Sequence, residues 1–200
     1  MNMMPDKIQK VVLVGPRAAG KTTLGRALAD RLGWGFRDTD DLLAAAAGQP
    51  AEDYLQKAGE AAFRTIEEQV VGAALLSTDP EVLALGGGAV LSASVRKALR
   101  EKHQDPDPHP DPHPDPHPDP HPDSHLLVVF LHAPVPVLVE RQAAVPRTPL
   151  TGQPLPAEVK ALLAERWPHY VSVSDLQLDT ASANVDACLW SIMDKMGPTS

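Results

Sequence analysis

The 200-residue chain carries one cysteine, Cys188, so an internal disulfide is excluded; a lone Cys in the apolar stretch "DACLWSIM" is expected to be a small core residue. A reducing compartment follows. The first residues, "MNMMPDKIQK", contain no apolar h-region, and no later run reaches the roughly 18 apolar residues needed to cross a bilayer. The expectation is a cytoplasmic protein with no membrane partner. Positive charge is also in short supply, with 18 Lys and Arg against 26 Asp and Glu, a net charge of -8. Six of the aspartates fall in 105–123, a stretch without Lys or Arg, and setting them aside leaves about -2. A nearly neutral body argues against nucleic acid as a partner.

What the chain does contain is 43% hydrophobic residues, enough for one compact domain over 1–200. The runs "KVVLVG", "WGFRD", "EVLALG", "LLVVFLH" and "DLQLD" read as five strands, and the segments between them carry apolar residues at i, i+3, i+4 spacing. Strands separated by helices imply parallel pairing with right-handed crossovers, hence a five-stranded parallel sheet in a three-layer α/β/α fold. Ligands of such sheets bind at the carboxyl ends of the strands. The residues to examine are therefore Gly15 to Thr23, Asp38 to Asp41 and Gly86 to Gly88.

A block of alternating prolines, "DPDPHPDPHPDPHPDPHPD", breaks this rhythm. Proline fixes φ and removes the amide donor, so an extended, solvated insert of about 103–125 is expected, without helix or sheet. Its histidines, His109, His113, His117 and His121, invite a metal-binding reading. At a rise of about 3.1 Å per residue, however, neighbouring ones stand roughly 12 Å apart on different faces, which favours a solvated insert over a metal site.

"GPRAAGKTT", residues 15–23, lies between the first strand and a helical segment and fits G-x-x-x-x-G-K-[ST]. In this context backbone N–H groups and the helix N-terminus form a cradle for phosphate, Lys21 reaches the β- and γ-phosphates, and the Thr22 hydroxyl suits Mg²⁺. Ala18 and Ala19 stand where such loops often have another glycine. Each keeps its amide donor, so the substitution matters only if one position requires φ > 0.

On the acceptor side, "RDTDDLL" closes the second strand. If extended there, the chain turns Asp38 and Asp40 to one side, where one carboxylate can hold the magnesium shell and the other a hydroxyl; Asp41 is then the expected helix cap. "AFRTIEEQV" sets Arg64 three residues before Glu67 on a helix, a spacing that fits either an exposed ion pair or a carboxylate orienting a guanidinium. "LALGGGAVL" places three glycines after a strand, either for close approach to a ligand or as a turn.

Lys21 and Thr22 in a phosphate loop, then "DTD", "FRTIEE" and "LGGGAV", in this order and at these separations, closely resemble the shikimate kinase family. The resemblance runs from about residue 8 to 195, apart from the insert, and implies a P-loop kinase fold. It implies ATP and Mg²⁺ as cofactors and shikimate as the small-molecule substrate, phosphorylated on its 3-hydroxyl. By similarity, Ala18, Ala19, Gly20, Lys21, Thr22 and Thr23 bind the ATP phosphates, with Thr22 and Asp38 at the metal. Asp40 contacts the ring hydroxyls and acts as base or orienting group. Arg64, Gly87 and, in "ERWPHY", Arg166 bind the shikimate carboxylate. A mobile lid is implied at about 143–156, "AAVPRTPLTGQPLP", with Arg147 as the catalytic lid arginine over the phosphates and Arg141 as the competing candidate. "LDTASANVD" has no arginine to stack on adenine, leaving backbone contacts near Ala181 and Ser182. The family likeness further implies a monomer. Two alternatives stand beside it: a kinase for another hydroxy acid such as gluconate, and a non-catalytic metal-responsive module built on the His/Asp insert.

Overall fold

A computed structural model describes residues 8–101, 126–144 and 152–197. The Pro/His/Asp-rich insert, Arg147 and half of the expected lid, 145–151, lie outside the described residues.

The core begins with β1 (Lys10–Val14), whose five residues are all buried. Its side chains alternate: Val11 and Leu13 enter one apolar cluster, Val12 and Val14 the other. That period of two makes β1 the middle of a sheet covered on both faces. The other strands are β2 (Gly35–Asp38), β3 (Glu81–Ala84), β4 (Leu126–His132) and β5 (Leu176–Asp179), in the order β2-β3-β1-β4-β5 with every pairing parallel. β4 coincides with its run, and the other four are one or two residues shorter than theirs. After β1 and β3 the chain leaves the ladder at glycine-bearing loops, and those loops build the site.

Helices α1 (Lys21–Leu32), α5 (Val135–Ala143) and α7 (Val185–Met196) bury Leu28, Leu138 and Ile192 in the first cluster. On the opposite face α3 (Ala51–Leu76), α4 (Ala93–Glu101) and α6 (Leu155–Val173) contribute Val71, Leu99 and Tyr170 to the second. The result is a three-layer α/β/α P-loop kinase fold. Between β2 and α3, α2 (Thr39–Ala47) ends on Gly48 in the left-handed conformation, and α3 is kinked at Gly59 (φ 82°, ψ 168°). Cys188 is buried in the first cluster, as its apolar context requires, and burial pushes its thiol pKa up. Among the described residues no helix is long and apolar enough to cross a membrane.

Candidate functional site

A cavity of about 1060 Å³ opens at the carboxyl ends of the strands, and Lys21, Asp38, Asp40, Gly87, Arg141 and Thr180 all contribute to its wall. The loop after β1 forms its floor. Lys21 folds back so that Nζ donates to the carbonyls of Gly15 (2.8 Å) and Pro16 (2.9 Å). Helix α1 starts from Gly20 (φ 92°) with no side-chain cap, which leaves its first-turn amides facing the loop rather than tied to a side chain.

Ala18 has φ 61° and is the position at which the missing glycine matters. An L-residue with a Cβ pays about 1–2 kcal/mol there, while glycine gives back part of that through its greater freedom in the unfolded chain. Ala18→Gly is therefore expected to stabilise the protein by about 0.5–1 kcal/mol, read as a rise of about 2 °C in thermal midpoint. A lower midpoint would show that the left-handed backbone carries no strain. The strained residue is held from outside. Arg141 donates to the Ala18 carbonyl (3.3 Å), to Thr180 Oγ1 (3.0 Å) and to the Thr180 carbonyl (2.8 Å), and Gln142 Nε2 donates to the Arg17 carbonyl (3.4 Å). Arg141, weighed from the sequence as a phosphate contact, thus ties the phosphate loop to Thr180 while lining the cavity. The amide of Ala181 donates to Asp179 Oδ1 at 2.8 Å, and that bond, above all, holds the Asp179 carboxyl below its ordinary range; Ser182 Oγ donates to the Asp179 carbonyl (3.4 Å). Of the backbone near Ala181 and Ser182 expected to meet adenine, the Ala181 amide is thus engaged by Asp179 within the loop.

At the end of β2 the chain does not stay extended. Helix α2 begins at Thr39, and its cap is Asp38, not Asp41: Asp38 Oδ1 accepts from the Asp40 amide (3.1 Å), leaving Asp40 and Asp41 in the first turn. The expected strand alternation is replaced by a cap, since a β-region Asp before a helix satisfies an amide that would otherwise lack a partner. Asp38 and Asp40 still face one cavity. The second oxygen of Asp38 accepts from Thr22 Oγ1 (3.0 Å), which places a hydroxyl and a carboxylate together at the start of α1. Such oxygen donors fit a hard cation.

The triple-glycine run is where separate elements meet. A Cβ on Gly86 would stand 2.7 Å from Asp40 Oδ1, and one on Gly88 would stand 2.6 Å from Arg64 Nη1, so only glycine permits these approaches. Arg64 Nη1 donates to Glu67 Oε2 at 2.6 Å, and Nη2 to Glu60 at 3.4 Å. Glu67 is 4% exposed, so this is a buried carboxylate orienting a guanidinium, the second of the two sequence alternatives. Burial, with some help from Asp40, pushes the Glu67 carboxyl above its ordinary range against the pull of Arg64.

From α6, Arg166 reaches Gly87 and donates from Nη1 to its carbonyl at 3.2 Å, across 79 positions of sequence. The side chain is buried, yet its Nε has no hydrogen-bond partner among the described residues. Tyr170, one turn further along, donates to the same carbonyl at 2.6 Å and stacks on Phe130. Burial pushes its pKa up to about 12, opposed by Arg166, so the phenol remains a donor. Sequence reasoning gave Tyr170 no role, although its place four residues after Arg166 puts both on one helix face. It also missed the pairing of Arg17 with Glu52 and the grip of Gln142, both of which join residues far apart in the chain.

Comparison with known proteins agrees with this geometry. The family model described as "Shikimate kinase" matches residues 17–196. A shikimate kinase of Saccharopolyspora erythraea is 38% identical over 92% of this chain and 92% of its own length, and one of Mycobacterium avium is 37% identical over 95% and 94%. Among solved structures, shikimate kinase from Acinetobacter baumannii in complex with shikimate superposes with a TM-score of 0.77 at 28% identity, covering 94% of this chain and 93% of that one.

Proposed function

Because the chain belongs to the shikimate kinase family, we propose that it transfers the terminal phosphoryl of ATP to the 3-hydroxyl of shikimate with the residues gathered at the ends of β1, β2 and β3. One observation carries the acceptor side: Arg166, buried beside Gly87 with a guanidinium N–H unpartnered among the described residues, stands against the same glycine run as Arg64 and Asp40. A buried cationic donor without a hydrogen bond costs free energy, and a carboxylate on the ligand offsets that cost.

In this reading the amides of 18–23 and Lys21 hold the phosphates, and Lys21 moves from the loop carbonyls onto them. Asp40 takes or orients the hydroxyl proton, while Arg64, kept in position by Glu67, and Arg166 hold the acid group near Gly87. Thr22 and Asp38 would hold Mg²⁺ together with phosphate oxygens; the ion would supply neutralising charge as the phosphoryl group moves. Among the described residues no three His, Cys, Asp or Glu gather into a metal site of their own. Arg147 is assigned to the lid, where it would bear phosphate charge and exclude water. The same reading takes the protein as a cytoplasmic monomer.

The test is ADP release coupled to a spectrophotometric readout, with shikimate and gluconate offered in parallel. Turnover that depends on shikimate and not gluconate is expected. A sample that binds ATP yet gives no shikimate-dependent ADP would overturn the assignment. Within this assay Arg166→Lys is expected to raise KM for shikimate by about 10- to 100-fold, because an ammonium cannot reproduce a two-pronged bond to a carboxylate. KM for ATP should stay within about twofold, since Arg166 bonds the glycine run rather than the phosphate loop.

A further inference from the structure

Arg17 is the third residue of the phosphate loop, but its side chain leaves the loop. Its Nη2 donates to Glu52 Oε1 at 2.9 Å, 35 positions away in the first turn of α3. Both side chains are partly covered, 26% and 32% exposed, and both line the cavity shared by Lys21 and Asp40. The two ends of this ion pair differ in freedom. On the Arg17 side the backbone is enclosed: its nitrogen would lie 3.5 Å from a Cβ on Gly87, its carbonyl accepts from Gln142, and the next carbonyl is held by Arg141. On the Glu52 side, 51–58 lies between two glycines with positive φ, Gly48 and the kink at Gly59. Just past that kink come Phe63, Arg64 and Glu67.

We propose that Arg17 is a positioning residue whose ion pair with Glu52 couples occupation of the phosphate loop to ordering of the 51–58 arm and so to acceptor affinity. Phosphate on the loop amides restrains the backbone that carries Arg17. Through the ion pair that restraint reaches an arm that packs on α2 and is bounded by two glycines of positive φ. Coupling of this kind is reciprocal, so acceptor binding tightens nucleotide binding by the same factor. The acceptor half of the inference rests on the shikimate reading; the nucleotide half does not.

Two measurements on the intact protein separate them. Amide hydrogen exchange in 51–58 is followed with and without MgADP and no acceptor, in the native protein, in Arg17→Met and in Glu52→Gln. MgADP is expected to slow exchange there by about threefold or more in the native protein and to have no such effect in either variant, with MgADP affinity itself within about twofold. Calorimetry then gives shikimate affinity with and without MgADP. The native protein should gain about threefold from MgADP, the variants should lose that gain, and Arg17→Lys or the reversed pair R17E/E52R should restore part of it. A merely structural ion pair would move stability and leave both ratios unchanged. Unaltered exchange protection in Arg17→Met, or none in the native protein, overturns the proposal. Failure of shikimate to bind at all would strike the acceptor reading, while the exchange result still decides the role of the ion pair.

Discussion

Asp40→Asn is expected to lower kcat by about 10²- to 10⁴-fold, the range over which a positioned acid–base group acts. Three features place the group for this role. Its amide is fixed by the Asp38 cap at 3.1 Å, its carboxylate lies against Gly86, and the cavity containing Lys21 opens beside it. Asparagine keeps the size of the side chain and its place in the first turn of α2 but cannot accept a proton. The loss should therefore appear in kcat, with MgADP affinity by calorimetry and KM for shikimate changed by less than about tenfold. Asp38→Asn serves as the contrast, because it touches Thr22 and should shift the magnesium dependence instead. An Asp40→Asn enzyme that keeps more than about a tenth of native kcat would remove Asp40 from the proton path.

Glu81→Ala is expected to cost about 3–5 kcal/mol of stability without touching the site. Glu81 opens β3 and is 4% exposed; Lys10, its register partner on β1, is 6% exposed. Its carboxylate accepts from Lys10 Nζ, from Arg37 Nε and from Arg37 Nη2 (2.6 Å), while Lys10 also donates to the Ala74 carbonyl (2.6 Å). Removing the carboxylate takes the compensating charge from a buried ammonium. Breaking one side of such a group is far more costly than never having built it. Urea unfolding should show a lower midpoint at unchanged slope, and a loss below about 1 kcal/mol would demote the cluster to an ordinary surface pair.

The pH dependence of that difference has a definite sign. Burial raises the Glu81 carboxyl, but the hydrogen bonds and charges of Arg37 and Lys10 outweigh it, so the group ends below its ordinary range. A depressed carboxyl stabilises the fold above its unfolded pKa and loses that contribution as pH falls through the folded value. The gap between native protein and Glu81→Ala should therefore be full near neutrality and narrow as pH drops below about 4.

Local features of the chain were enough for the layered fold. Five short apolar runs with helical segments between them lead directly to a parallel sheet, and the observed order adds only the arrangement β2-β3-β1-β4-β5. The phosphate loop was equally plain, because strand, loop and helix are consecutive and their chemistry lies in the backbone. The N-cap was misassigned for a related reason: Asp38, Asp40 and Asp41 are all acceptable caps, and only the backbone turn at Thr39 selects among them. Likewise the i, i+3 spacing of Arg64 and Glu67 is the same whether the pair is exposed or buried. Burial by the surrounding elements, not spacing, made Glu67 an orienting group.

Taken without coordinates, the residue pattern specifies the sheet, the crossovers and a loop that grips phosphate, since each depends on neighbours in the chain. The meeting of Arg166 and Tyr170 with Gly87, the strain at Ala18 with Arg141 bonded to it, and the bond from Arg17 to Glu52 arise only on folding. These contacts join segments brought together by strand order and helix packing. Their energies depend on burial and approach distance, and neither quantity is written in the spacing of residues along the chain.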